Sequence, residues 1–405
     1  MKIAHIVGNR PQFIKLALLH DELQKRAAGP SLIIHTGQHF DADMSGIFFG
    51  ELSIPHPNYQ LDVRKKSHNE MIGNILSAID PVLDRERPDL AIVYGDTNTT
   101  LAGALACKKR NIPLAHIESG VRTGKEDMPE ESNRYLTDRM ADWNFPCTAL
   151  GRENLSREGF GEGGPIHSEV HVCGDLLLDA ATRFAERARQ SGVLNGLFGN
   201  AKGGEGRGQS GGGPGKNGGG PGKNGESPGM NGEGRAPAFI LATIHRAENT
   251  EEVAALREII EALNTLHEQI PVVFPMHPRT HKVLDQAGIV PHFVISPPLG
   301  YLDMLSLVQS CRSVITDSGG LSREAFFFRK PALVVMQNPF WPELFSHGRC
   351  LQAAALKSDI LEKQGQLDRL SGAWTIDIFG DGHAAARISD ILVKGPVSGR
   401  EAGHA

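Results

Sequence analysis

Short apolar runs alternate with longer stretches of helical periodicity along almost the whole chain. In the first half, Ile3–Val7, Leu32–Thr36, Leu90–Tyr94, Leu114–Ile117 and Val170–Val172 read as buried strands. Helices are predicted between them over stretches such as Phe13–Lys25 and Thr99–Lys109. The alternation begins again at Phe239–Thr243 and continues through Val272–Pro275, Phe293–Ile295, Val314–Thr316 and Leu333–Val335, with helices over Glu251–His267, Tyr301–Cys311 and Leu321–Phe328. Strands alternating with helices predict parallel sheets covered on both faces. Two such series predict an α/β protein of two Rossmann-like, doubly wound lobes with a cleft between them. The expected division is a first lobe over 1–175, a connecting helix over 176–198, a second lobe over 237–380, a helix over 381–395 and a tail over 396–405.

One segment fits neither series. From Gly199 to Gly234, 17 of 36 residues are glycine, and GGGPGKN occurs twice in tandem (Gly211–Asn217 and Gly218–Asn224) before a degraded copy at Gly225–Asn231. Too few apolar side chains are present to offset the entropy of ordering, so 199–236 is expected to be a disordered insert. Its glycines do not follow a strand and open a helix, which excludes a phosphate-binding loop. A repeat-expanded surface loop accounts for it, since loop insertions cost little stability.

Composition narrows the function classes. The net charge is −5 with signs interspersed, so no basic surface asks for nucleic acid or an anionic membrane. Any group that binds phosphate must act locally. The five cysteines (Cys107, Cys147, Cys173, Cys311, Cys350) form no C-x-x-C pair, and neither a metal site nor a disulfide framework is expected. The opening strand lacks the pattern of a secretion signal, and no apolar run reaches membrane-spanning length. A cytoplasmic, reduced, soluble protein is the expectation.

Ligands of open α/β sheets bind beyond the carboxyl ends of the strands, and several polar groups fall there. GNRPQFIK (Gly8–Lys15) follows the first strand: Gly8 allows a tight turn, Pro11 suits a helix start, and Arg10 and Lys15 bring positive charge to a helix N-terminus. VYGDTNTT (Val93–Thr100) and HIESG (His116–Gly120) place Asp96 and Glu118 just past buried strands, where a carboxylate pays desolvation unless paired or working. MPEESNR (Met128–Arg134) adds Glu130 at a helix start, where a contact with the helix dipole would also account for it. In the second series, ATIHRAENT (Ala242–Thr250) sets His245 and Arg246 after the first strand. TDSGGLSREA (Thr316–Ala325) ends a strand at Asp317 and brings the amides of Ser318, Gly319 and Gly320 to a helix N-terminus, an arrangement suited to a diphosphate. Glu324 follows and could accept hydrogen bonds from ribose hydroxyls.

These six motifs in this order resemble the UDP-N-acetylglucosamine 2-epimerase family of the non-hydrolysing type, over Met1 to about Glu343 apart from the glycine-rich insert. His35–Phe49 together with ATIHRAENT looks closest to members acting on UDP-2,3-diacetamido-glucuronate. The resemblance implies a glycosyltransferase-B-like fold, the last helix returning to the first lobe, a nucleotide-binding second lobe and a homodimer. It also implies a reaction. The anomeric C1–O bond ionises, UDP leaves, C2–H becomes acidic, and a 2-acetamidoglucal forms; a proton then returns on the opposite face as UDP adds back. In that scheme Asp96, Glu118, Glu130 and His245 are catalytic. Arg10, Lys15, His245, Arg246, Ser318, Gly319, Gly320 and Glu324 hold the UDP-amino-sugar. No cofactor and no metal is implied.

One stretch departs from the family pattern. MQNPFWPELF (Met336–Phe345) carries Gln337 where an arginine is common and Pro339-Phe340 where a Thr-Glu is common, with Glu343 alone matching cleanly. Gaining Phe340 and Trp341 suggests a less polar sugar pocket. Poorer closure would admit water, so a hydrolysing epimerase releasing N-acetylmannosamine is one alternative, and a silent UDP-sugar sensor another.

Overall fold

The computed structural model describes residues 1–26, 29–38, 42–63, 67–199, 236–370, 374 and 377–395. Most of the glycine-rich insert and the tail lie outside the described residues. The chain divides into two compact units: Met1–Phe184 with Phe340–Glu343 and Thr375–Ala405, and Ala185–Pro339 with Leu344–Trp374. The division falls inside the helix Leu176–Arg189.

The first unit holds a seven-stranded parallel sheet. Its strands are β1 (Ile3–Val7), β2 (Ser31–His35), β3 (Tyr59–Gln60), β4 (Leu90–Tyr94), β5 (Leu114–Ile117), β6 (Trp143–Phe145) and β7 (Glu169–Val170), in the order β3-β2-β1-β4-β5-β6-β7. β1, β4 and β5 are buried at every residue, as a sheet covered on both faces requires. The helix Ala384–Lys394 lies in this unit, where Arg26 bonds Asp390 Oδ1 at 2.6 Å and the Ala386 carbonyl at 3.1 Å.

The second unit repeats the plan with six parallel strands: β8 (Ile240–Thr243), β9 (Val272–Pro275), β10 (Val294–Ser296), β11 (Ser313–Thr316), β12 (Ala332–Val335) and β13 (Cys350–Ala353), in the order β10-β9-β8-β11-β12-β13. Both sheets therefore wind outward in both directions from a central pair, β1/β4 and β8/β11. The connections reverse direction there, leaving a crevice at the strands' carboxyl ends. β3, β6 and β13 were not anticipated: β3 and β6 have two and three residues, and β13 has a mixed burial pattern, so none shows a long apolar run. Among the described residues no helix is long and apolar enough to cross a membrane.

Candidate functional site

In the first unit the site residues sit at the carboxyl ends of β1, β4 and β5, around the β1/β4 reversal. Gly8 leaves β1, and a Cβ there would come within 2.3 Å of Thr99 Oγ1 and 2.4 Å of Thr36 Oγ1. Close approach of Thr36, just past β2, and of Thr99, in the first turn of the helix Asn98–Lys109, and not a positive φ, is what requires glycine. Gln12 then ties two turns together: its Oε1 accepts from Gly8 N at 2.6 Å, and its Nε2 donates to the Tyr94 carbonyl at 2.8 Å. Sequence reasoning gave Gln12 no role, because an amide one turn into a helix reads as surface.

Asp96 follows β4 and is about a quarter exposed. Its Oδ2 is ion-paired with Arg134 Nη2, its carbonyl accepts from Asn133 Nδ2 at 2.9 Å, and Arg134 is buried. Burial works against the Arg134 charge, but the carboxylates of Asp96 and Glu131 outweigh it and hold the guanidinium above its ordinary pKa. Arg134 Nη1 reaches Glu131 Oε2 at 2.8 Å, and Glu131 also accepts from the amides of Thr123 and Gly124. In the Pro-Glu-Glu sequence, then, Glu131 is the buried, bonded carboxylate. Glu130, the candidate from sequence, is half-buried at the second residue of the helix Pro129–Met140 and makes no ion pair among the described residues.

Glu118 follows β5 with φ 69, a left-handed backbone that costs a non-glycine residue about 1–3 kcal/mol. Its Oε2 lies 2.5 Å from Lys15 Nζ, and the Lys15 side chain is only 3% exposed. Lys15 was expected to face a diphosphate; buried against Glu118, it is the ion-pair partner of this carboxylate. A Cβ placed on Gly95 would be 3.8 Å from Lys15 Nζ and 4.0 Å from Glu118 Oε1, so the Gly95–Asp96 turn runs directly beside the Lys15–Glu118 pair. Glu118, Cys147 and Asp175 bring ligand atoms within 4.8 Å of one another, and the Glu118 Oε2 is already paired with the Lys15 ammonium. Arg10 is half-buried with its guanidinium 4.5 Å from the Phe48 ring centre.

Phe340–Glu343 belongs to the first unit. The Arg134 guanidinium stacks 4.7 Å from the Phe340 ring centre, Trp341 packs edge-on against Phe379, and Thr148 Oγ1 donates to Glu343 Oε1 at 2.6 Å. The two aromatics were expected to line a sugar pocket. Both are buried, and Phe340 instead covers the arginine that holds Asp96.

In the second unit the candidates flank the β8/β11 reversal. Asp317, wholly buried at the end of β11, accepts from the amides of His245 at 3.0 Å and Arg246 at 2.9 Å and from Asn249 Nδ2 at 3.1 Å. His245 Nδ1 lies 3.1 Å from Asp317 Oδ1, while about half of the His245 side chain is exposed. Burial raises the Asp317 carboxyl, but these bonds and the His245 charge outweigh it and leave it below its ordinary pKa. Asp317 thus organises the turn that presents His245 and Arg246. The rule that singled out Asp96 and Glu118, a carboxylate at a strand end, applies to it equally.

Ser318 caps the helix Gly319–Phe327, its Oγ accepting from Leu321 N at 3.3 Å, and Ser318, Gly319 and Gly320 are half-buried. The first amides of a helix lack intrahelical acceptors, an arrangement chemically suited to an anion. A Cβ on Gly320 would meet nothing closer than Ser318 Oγ at 3.7 Å, so glycine there keeps the approach open and relieves no clash within the protein. Glu324 is buried in the same helix, 7% exposed.

The model of the UDP-N-acetylglucosamine 2-epimerase family matches residues 21–202 and 224–393. The chain is 39% identical over 399 residues to the UDP-2,3-diacetamido-2,3-dideoxy-D-glucuronate 2-epimerase of Pseudomonas aeruginosa, with 97% of this chain and 100% of that one covered. It is 31% identical to the UDP-N-acetylglucosamine 2-epimerase of Methanocaldococcus jannaschii, covering 98% and 100%. The crystal structure of a Methanocaldococcus jannaschii UDP-GlcNAc 2-epimerase in complex with UDP-GlcNAc and UDP superposes with a TM-score of 0.83 at 31% identity, covering 98% and 100%. The Neisseria meningitidis enzyme bound to UDP-GlcNAc gives 0.78 at 26% identity, covering 97% and 100%.

Proposed function

Because this chain belongs to the UDP-N-acetylglucosamine 2-epimerase family, we propose that it is an isomerase that inverts C2 of a UDP-linked 2-acetamido sugar. The observation that carries the reading is the pair of carboxyl groups at adjacent strand ends, each against a buried cation: Asp96 on Arg134, and Glu118, with its strained backbone, on Lys15. Such groups are costly to hold in place, and proton exchange at a sugar carbon is a use that repays the cost.

The C1–O bond to the diphosphate breaks first, and its electron pair leaves with UDP. Arg10, His245, Arg246 and the amides of Ser318, Gly319 and Gly320 take up that charge. A carboxylate among Asp96, Glu118 and Glu130 accepts the C2 proton as the C1–C2 double bond forms. A second of these groups, starting as the protonated carboxylic acid, donates its proton to the opposite face of C2 while the diphosphate oxygen adds to C1, and exchange with solvent restores both groups. Glu324 is assigned to the ribose. Lys15 acts through Glu118 in this reading and does not hold UDP. The substrate is UDP-N-acetylglucosamine or a 2,3-diacetamido uronate analogue, the latter favoured by the relative at 39% identity. The enzyme works as a cytoplasmic homodimer, a state that light scattering of the purified chain reads directly.

Asp96→Asn and Glu118→Gln test the assignment. Each is expected to lower turnover about 10²–10⁴-fold, the usual range for a positioned proton-transfer group, while UDP affinity by titration calorimetry changes less than about threefold. Turnover within a factor of ten of wild type in both variants would sink the site.

A further inference from the structure

His116 lies on β5, two residues before Glu118, and is wholly buried. Its Nδ1 is 2.7 Å from Asp138 Oδ1 and its Nε2 is 2.7 Å from the Gly95 carbonyl. The carbonyl can only accept, so Nε2 carries a proton. Asp138 is also wholly buried, and its other oxygen is already occupied: Arg122 Nη2 donates to Oδ2 at 2.7 Å and the Gly120 amide at 3.2 Å. Burial alone would push the Asp138 carboxyl up, but the Arg122 guanidinium and the Gly120 amide, both donating to Oδ2, favour the carboxylate and leave Oδ1 to accept from the ring. An ionised Asp138 requires a proton on Nδ1 as well.

We propose that His116 is a buried imidazolium and the positioning residue that, with Asp138, fixes both carboxylate-bearing turns of the reaction centre. One end of the ring pins the carbonyl of Gly95, the residue before Asp96. Through Asp138, the other end pins the amide of Gly120, two residues after Glu118. Both glycines are left-handed, with φ 65 and φ 73, and a Cβ on Gly120 would meet the Gly151 carbonyl at 2.3 Å. The Gly120 turn has no slack on the protein side, and a single charged pair joins it to the Gly95 turn. The Glu158 carboxylate, 2.7 Å from Arg122 Nε and 3.0 Å from Arg139 Nη1, carries the network outward from Arg122. The sequence pointed to HIESG for its glutamate; the histidine reads there as an ordinary strand residue.

The proposal rests on Asp96 and Glu118 being the working carboxylates, and its primary test does not. Nitrogen-15 NMR of the wild-type protein labelled at histidine, with His116→Gln for assignment, reads the ring directly. The expected signal at pH 7 has each His116 nitrogen bonded to its own proton; an Nδ1 with a free lone pair, bonded to a protonated Asp138, overturns the imidazolium. The second test is kinetic and uses whichever of UDP-N-acetylglucosamine or the diacetamido uronate the wild type epimerises. His116→Gln keeps a donor for only one of the two acceptors. It should lower kcat per folded molecule about 10²-fold, the usual penalty for an ångström of misplacement, with KM and UDP affinity within about threefold. A purely structural histidine would lower the folded fraction and leave kcat per folded molecule unchanged, which overturns the positioning role. Should Asp96→Asn retain turnover while the two-proton signal stands, the catalytic reading fails and the imidazolium does not.

Discussion

Replacing Arg134 with methionine removes the cation shared by Asp96 and Glu131 while keeping an unbranched side chain of similar length beneath Phe340. Breaking a buried ion pair by removing one partner costs about 3–5 kcal/mol, since the stranded charge stays behind. Here the lower end applies. Glu131 keeps the Thr123 and Gly124 amides, and Asp96 is 27% exposed and can partly rehydrate. For a unit of this size each kcal/mol is worth about 2–4 °C in Tm, so a loss of about 3 kcal/mol predicts a fall of about 6–12 °C. Turnover should drop about 10²-fold or more, because Asp96 loses the bond that aims it. Arg134→Lys keeps the charge but not the fork that spans two carboxylates, and should fall between wild type and methionine in both measures. Differential scanning calorimetry and a turnover assay on the same samples decide the matter. A methionine variant melting within about 2 °C of wild type with full turnover would refute the view that this arginine holds the site.

Two further predictions follow from other parts of the structure. Asp317→Ala leaves the His245 and Arg246 amides without their acceptor, and should weaken UDP binding at least about tenfold, the worth of one hydrogen bond to a charged group; unchanged affinity by calorimetry would contradict its role. Acid should destabilise the first unit through His5 and His35, whose pKa values burial lowers from 6.5 to about 3 and about 4. These rings stay neutral in the fold while the unfolded chain takes up a proton below pH 6.5. Their stabilising contribution is therefore complete above pH 6.5 and is lost as the pH falls toward about 4 for His35 and about 3 for His5. His5→Gln should remove about 1.4 kcal/mol per pH unit from the urea-derived stability slope between pH 6 and 4; an unaltered slope would show that His5 is not held neutral.

The parts of the site legible in the sequence were those that follow from position along a strand. Asp96, Glu118, His245 and Ser318 each stand just past an apolar run, and a parallel sheet delivers such residues to one rim. The partners were not legible, because they depend on which helix face meets which strand end. Lys15 reads as a cation at the phosphate-binding mouth and is buried on Glu118; Arg134 reads as a helix residue and spans two carboxylates; Asp317 reads as a strand terminus and organises His245. Phe340 and Trp341 illustrate the converse. Aromatics in an irregular loop suggest a ligand surface, yet both are used in packing, one of them over the arginine on which Asp96 depends. Gly8 was read as allowing a tight turn, whereas the threonine hydroxyls of Thr36, just past β2, and Thr99, at a helix start, leave room for nothing larger. The strands missed were those too short or too mixed in burial to show a period.

The account stands or falls on C2 of the sugar exchanging its proton with solvent. Proton NMR of the purified enzyme in deuterated water, with UDP-N-acetylglucosamine and then the 2,3-diacetamido uronate, measures this directly. The predicted result is the manno epimer of one of them with deuterium at C2. An epimer retaining the original C2 hydrogen, or no exchange with either sugar while UDP still binds, would contradict it.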